Sequence, residues 1–345
     1  MTVGTNRQWL VVRPPDGDEV ERCFRWADSP IPKPGNGEML LRNLWFSFDP
    51  TQVFLIAQPR EDGGVPVGSV MRSLTASRVI DSRHPDFRTG DLVHGYAGWE
   101  DYTVTDGHGY FDTTKVADGI PANLALGTLG VTGMVAYFGV VEIARPKPGE
   151  TFVVSSAAGG VGSIAAQIAR IVGLRVIGIA GGREKCDWLL REAGASAAID
   201  HRTEEVGSRL DVLCPDGIDI FFDNAGGPIL DEALARLRRN GRVVLCGGTS
   251  RYARGHRPPG PANYLQLCMI NGRMEGLLGR DYVDRFPAAV EVMRGWLDSG
   301  QLRSKEDVVV GLENAPSTLA RLFGGANVGK QLLKNEDDSG PMERP

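Results

Sequence analysis

Thr151-Phe152-Val153-Val154-Ser155-Ser156-Ala157-Ala158-Gly159-Gly160-Val161-Gly162-Ser163-Ile164 decides the fold of this chain. Thr151–Ser155 is a short apolar run and reads as a buried strand. Ile164, Ile168 and Ile171 recur at helical spacing and mark one face of a helix. Between them, Ala157, Gly159 and Gly162 occupy the positions of the dinucleotide fingerprint, with alanine at the first. Small residues are needed there because a pyrophosphate must approach the backbone and the amides at the helix N-terminus. Gly162 lets the helix pack closely on the strand. Glycines alone mark any tight turn; the strand before them and the helix and second strand after them favour the phosphate reading.

That second strand, Leu174–Ala180, also bears on the nucleotide. An NAD site places Asp or Glu at its end, for the ribose hydroxyls. Here the strand ends in Ala180-Gly181-Gly182-Arg183-Glu184-Lys185. The acid is missing and two cations stand near a helix start, where they oppose the helix dipole. An anionic partner, the 2′-phosphate of NADPH, accounts for them better than solvation does.

Working outward, a helix is expected over Arg183–Ala193 and another over Leu230–Arg238. Strands are expected at Ala197–Asp200, Ile218–Asp223, Arg242–Cys246 and Arg273–Leu278. Strands joined by helical crossovers make a doubly wound parallel sheet. On the N-terminal side, small residues over Leu126–Val141 predict a tightly packed helix, ended by Arg145-Pro146-Lys147-Pro148-Gly149. Before it, short β-prone runs (Val11–Val12, Met39–Leu44, Val65–Ser69, Arg78–Asp81, Asp91–Val93, Asp101–Val104) alternate with turn formers and predict a compact β-barrel-like domain. After the sheet come a long helix at Asp284–Ser299 and a strand–helix–strand segment over Gln301–Lys334. The division expected is 1–125 for the β-rich domain, completed by 301–334; 126–300 for the nucleotide domain; and 335–345 for a disordered tail.

The chain has 345 residues, 42% of them hydrophobic and 23% charged, with a net charge of −5. These values suit a soluble enzyme-sized chain and give no electrostatic footprint for nucleic acid or anionic lipid. The polar start and the lack of a long apolar run predict a cytoplasmic protein without a membrane span. Five cysteines (Cys23, Cys186, Cys214, Cys246, Cys268) and five histidines (His84, His94, His108, His201, His256) are scattered. No C-x-x-C pair or Cys/His cluster at ligand spacing occurs, so no metal is expected.

Leu126–Gly162, LGTLGVTGMVAYFGVVEIARPKPGETFVVSSAAGGVG, resembles the prostaglandin reductase (leukotriene B4 12-hydroxydehydrogenase) branch of the medium-chain dehydrogenases/reductases, which includes curcumin-type and alkenal double-bond reductases. GIAGGREK, FFDNAGG, GRVVLCGGTSRY, GPANYLQL, NVGK and SRHPDFRTGDLVHGYAGWEDY are similar to it as well. The resemblance runs from about Arg13 to Lys334 and implies a GroES-like catalytic domain beside a Rossmann domain, without zinc, in a homodimer joined through the strands around Arg273–Leu278.

It also implies roles. Gly159, Gly160, Val161 and Gly162 would hold the pyrophosphate, and Lys185 with residue 201 the adenosine phosphate. Asn224, the loop Cys246-Gly247-Gly248-Thr249-Ser250-Arg251-Tyr252, Leu277-Leu278-Gly279 and Asn327 would line the rest of the cofactor. Tyr264 matches the family tyrosine that faces the substrate carbonyl, and Tyr252 is read as a cofactor wall. Tyr137 and Trp99 are read as packing residues. The chain departs from the family at His201 (often tyrosine), at Val135 (usually threonine) and at Phe48-Asp49-Pro50-Thr51-Gln52-Val53, where relatives carry VDPYMR. The implied activity is NADPH-dependent hydride transfer to the β-carbon of an α,β-unsaturated ketone or aldehyde, with Tyr264 and the nicotinamide ribose hydroxyl stabilising the enolate oxygen. A quinone reductase or zinc-free alcohol dehydrogenase on the same scaffold is the alternative, and a non-catalytic NADPH-binding sensor is a reading of another class.

Overall fold

The computed structural model describes residues 4–15, 19–57, 64–252 and 260–335, without the side chain of Arg251. Strands β1 (Thr5–Val11) and β2 (Phe24–Pro30) pair as an antiparallel ribbon. A second sheet is built on β3 (Met39–Ser47), whose alternation toward solvent is almost lost because both faces are covered. The short helix α1 (Gln52–Ala57) follows, then β4 (Arg72–Ser82), β5 (Leu92–Gly98), β6 (Tyr102–Thr105) and β7 (Thr114–Lys115). The core under this sheet gathers Val11, Phe24, Phe46, Phe48 and Trp99. Trp99 is fully buried between the rings of Phe24 and Phe48, the packing role read from sequence. Val65–Ser69 is a turn and not a strand: Pro66-Val67-Gly68 reverses the chain, with Gly68 at φ 92°.

The helix expected over Leu126–Val141 is broken. Helix α2 (Ala122–Leu126) ends at Gly127, and α3 (Val131–Phe138) starts only after Gly130, which is extended. That break needs a glycine at 133, since a Cβ on Gly133 would lie 1.7 Å from the Thr128 carbonyl oxygen. A wide π-type turn, Gly139–Ala144, continues α3, and Arg145 leaves it in the left-handed region at φ 49°. The residue before a proline avoids the right-handed helical region, which stops the helix there.

The nucleotide sheet is wholly parallel, from β8 (Thr151–Val154), β9 (Arg175–Ala180), β10 (Ala197–Asp200), β11 (Ile218–Asp223), β12 (Leu237–Leu245) and β13 (Arg273–Gly276) in the order β10-β9-β8-β11-β12-β13. Its crossovers carry α4 (Gly160–Ile171), α5 (Arg183–Arg191), α6 (Val206–Leu213), α7 (Gly227–Ala235), a single turn α8 (Thr249–Tyr252) and α9 (Gln266–Ile270). Helix α7 ends earlier than expected because Leu237 already pairs with Ile218; β12 then bends at Asn240, φ 63°. Separate apolar clusters fill the two faces of this sheet. Half-buried Tyr137 packs against the first, as a core residue.

After α10 (Phe286–Asp298) the chain returns to the β-rich sheet. There β14 (Glu306–Val310) and β15 (Lys330–Lys334) flank α11 (Ala315–Phe323), and β15 pairs antiparallel with β3. Asn335, expected to begin a loose tail, is buried: its Nδ2 donates to Asp101 Oδ1 at 2.9 Å, and its amide to the Leu44 carbonyl at 2.9 Å. The remainder of the expected tail, 336–345, lies outside the described residues.

Candidate active site

A cleft of about 1540 Å³ runs between the two sheets. Its floor is the turn between β8 and α4. Ser156 passes through the left-handed region at φ 47° so that the chain can reverse toward α4. A Cβ on Gly162 would meet the Ser156 carbonyl oxygen at 2.3 Å, and one on Gly160 would meet the Lys330 side chain at 3.2 Å. The turn is therefore closed to larger side chains on its protein side. The first amides of a helix lack carbonyl partners within it, and those of α4 open onto the cleft beside Gly159, Gly160, Val161 and Gly162. That is the cradle a pyrophosphate requires.

At the end of β9 the chain turns through Gly182, φ 99°, whose amide donates to Asp200 Oδ1 at 2.8 Å. Asp200 is thus turned to the backbone. Above Gly181 stand His201 and Arg202: a Cβ on Gly181 would be 2.8 Å from His201 Nε2 and 2.9 Å from Arg202 Nε. Lys185 completes the group, its Nζ donating to the Gly325 carbonyl at 2.8 Å, while Arg202 donates to the Gly324 carbonyl at 3.1 Å. Burial lowers the Lys185 ammonium below its ordinary range, and the charge of Arg202 lowers it further. Burial likewise lowers His201, with Arg202 and Lys185 adding to it. This cationic group, with no carboxylate in a salt bridge to Lys185 or Arg202 among the described residues, suits a doubly charged phosphate. Arg183 is not part of this group: its side chain is 91% exposed and faces Asp187. Arg202, which sequence reading passed over, takes the place beside Lys185.

The strand ends of β11 and β12 form the next wall. Ser155 Oγ donates to Asp223 Oδ1 at 2.9 Å and accepts from the amides of Asn224 and Ala225, which locks β8 and β11 together. Asn224, Cys246, Gly247, Thr249, Ser250, Tyr252, Leu278, Gly279 and Asn327 all line the cleft. Burial pushes the Cys246 thiol up to about 12, which leaves it a neutral wall. The Tyr252 hydroxyl accepts from the Gly248 amide at 2.7 Å, so Gly248 braces the wall from behind. Leu277 packs against the apolar core and does not line the cleft. Arg251 lies in α8, and its side chain is outside the described residues. Val135 abuts Gly279, where a Cβ would come within 2.8 Å of it.

The β-rich domain supplies the opposite wall. Tyr96 on β5 sits with Tyr110 and Phe111, with ring centroids 6.5 Å away in each case. Phe54 of α1 meets the Tyr252 ring edge-on at 4.6 Å across the cleft. The Tyr96 hydroxyl bonds to no described residue, and burial raises its pKa first, with Asp49 adding to it, so it stays protonated. Tyr264 is not brought to this cleft. It is 56% exposed, because Ala262 and Asn263 hydrogen-bond to Asp231 of α7 and pin the preceding turn over that helix.

Comparison with known proteins identifies the family. The model for the N-terminal domain of oxidoreductases matches residues 7–113, and that for zinc-binding dehydrogenases matches residues 160–294. The NADPH-dependent curcumin reductase of Escherichia coli (strain K12) is 37% identical over 96% of this chain and 98% of its own. The chain belongs to the medium-chain dehydrogenase/reductase family. Within it, the prostaglandin, curcumin and alkenal reductases form the branch it matches. The (+)-pulegone reductase of Mentha piperita is 37% identical over 88% of the chain and 89% of its own. CurA from Vibrio vulnificus, solved in complex with NADPH, superposes with a TM-score of 0.90 at 35% identity, covering 96% and 99%. Although one of the family models is named for zinc, no group of three or more His, Cys, Asp or Glu is placed to hold a metal among the described residues.

Proposed function

We propose that this medium-chain reductase reduces the carbon–carbon double bond of α,β-unsaturated ketones and aldehydes. The chain is an NADPH-dependent oxidoreductase, the class named for the curcumin reductase that is 37% identical to it. The finer reading is carried by one observation: the crevice with the cationic group runs without a break into an aromatic chamber holding a phenol, Tyr96, that bonds to no described residue. The names of the relatives, reductases of curcumin, pulegone and 2-alkenals, support the same bond as the target.

Bound NADPH supplies the hydride. The protein supplies position, charge and dryness. The α4 amides and Lys185, Arg202 and His201 would fix the nucleotide by its phosphates. Cys246, Gly279 and Val135 shape the apolar end of the crevice. As the β-carbon is reduced, charge collects on the carbonyl oxygen, and a donor already aimed there stabilises the transition state above the ground state. Tyr96 is proposed as that donor. Phe54, Tyr110, Phe111 and Tyr252 line the same cleft with aromatic surface. Metal independence belongs to the same proposal, because no ligand cluster stands in the cleft among the described residues. The test is loss of NADPH absorbance with an enal, a cyclic enone, a quinone and a ketone, each with and without a chelator.

A further inference from the structure

Lys330 is the buried cation of the cleft: only 3% of its side chain is exposed. A buried ammonium is tolerated only when its charge and its donors are matched. Here Nζ donates to Asp49 Oδ1 at 2.6 Å and to the Phe48 carbonyl at 2.9 Å. The other Asp49 oxygen accepts from Ser47 Oγ at 3.0 Å, and the Asp49 amide donates to Gln52 Oε1 at 2.9 Å, the residue that starts α1. The neighbour of Lys330 packs on the turn between β8 and α4. The Gly329 amide donates to the Ala158 carbonyl at 2.7 Å, and Gly329 bridges in parallel with Gly159. The dipeptide Gly329-Lys330 therefore touches the phosphate turn with its backbone and the substrate wall with its side chain. Gly160 is part of the same contact, since its missing Cβ leaves room for the Lys330 stem. From Asp49 the wall runs on through Pro50-Thr51 into α1, which carries Phe54 against Tyr252.

We propose that Lys330 is a positioning residue, acting through Asp49, that couples occupation of the phosphate turn to the ordering of the substrate wall 47–57. Nucleotide held on Gly159–Gly162 fixes Gly329, and with it the Lys330 stem. Lys330 then holds Phe48 and Asp49, and the wall that follows them, in the geometry that receives substrate. The coupling rests on the reductase reading only for its kinetic arm.

The test compares the unmodified protein with Lys330→Met and Asp49→Asn. NADPH binding is followed by fluorescence, hydrogen exchange of segment 47–57 with and without NADPH, and kcat and KM with a cyclic enone. Asp49 is 36% exposed, so water can reach it when Lys330 is removed and the fold should persist. In the unmodified protein, NADPH should slow exchange in 47–57. In Lys330→Met, NADPH affinity should stay within about threefold, protection of 47–57 should vanish, and KM should rise about tenfold with kcat changed less than about threefold. Asp49→Asn should move the same quantities in the same direction by about threefold, and the double variant should be no worse than Lys330→Met alone. Unchanged protection and KM in both single variants would overturn the proposal, as would an NADPH affinity that falls in step with the rise in KM. If Lys330→Met does not fold, Asp49→Asn decides by the same criteria. If the unmodified protein reduces no enone, the exchange arm still decides the coupling, and the failure belongs to the reductase reading.

Discussion

The Tyr96 hydroxyl faces the cleft without a described partner, whereas Tyr264 stands 56% exposed beyond it. Tyr96→Phe keeps the ring and removes the donor, so single-turnover reduction of an enone at saturating NADPH should slow by about tenfold to a hundredfold. Tyr264→Phe should leave the same rate within about twofold; a loss as large as that of Tyr96→Phe would restore the role implied by resemblance. In the phosphate group, Lys185→Ala should weaken NADPH binding by roughly 1–3 kcal/mol and NADH binding hardly at all, read by titration calorimetry. Arg202→Ala should act in the same direction with a smaller loss, because Arg202 is more exposed and better screened. Lys185 was legible in the sequence because it follows the strand that would otherwise end in an acid. Arg202 was not, because it enters from the next strand, and only the fold brings β10 beside β9. Tyr96 was hidden for a similar reason. Its place on β5 gives it one of two faces, and the sequence does not say which face the cleft takes.

At the scale of elements, the glycine turn makes the sharpest claim. Gly162→Ala would press a methyl group to 2.3 Å from the Ser156 carbonyl oxygen, and backbone there cannot move without displacing β8. Roughly 1–3 kcal/mol of stability should be lost, and NADPH binding should weaken with it. Gly295→Ala, in the middle of α10 with nothing within 4 Å, is the control and should stabilise by up to about 1 kcal/mol. Thermal unfolding of the two variants, moving in opposite directions, checks both. The parallel sheet was the most legible part of the chain, since strands buried on both faces read as continuous apolar runs such as Phe152–Val154 and Val176–Ala180. The missed elements lack that signal. Strand β2 mixes Arg25, Asp28 and Ser29 into a two-stranded ribbon, and the break between α2 and α3 depends on Gly127 and Gly130 meeting carbonyls that the sequence does not display.

Among the described residues no strand pairs with the outer edge of β13, and the segment leading to and from it exposes Leu265, Met269 and Leu278. A bare edge beside apolar surface is a pairing hazard that a second copy removes. We therefore propose a homodimer joined along β13. Light scattering should give about twice the 37.2 kDa chain mass, and a monomer at working concentration would refute it. No described helix is long and apolar enough to cross a membrane. The central claim concerns the bond that is reduced, and the substrate panel tests it most directly. NADPH absorbance should fall with the enal and the cyclic enone, with chelator present as well as absent, and should hold steady with the simple ketone and the quinone. Oxidation confined to the quinone or the ketone, or binding of NADPH with no turnover of any member, would contradict the account.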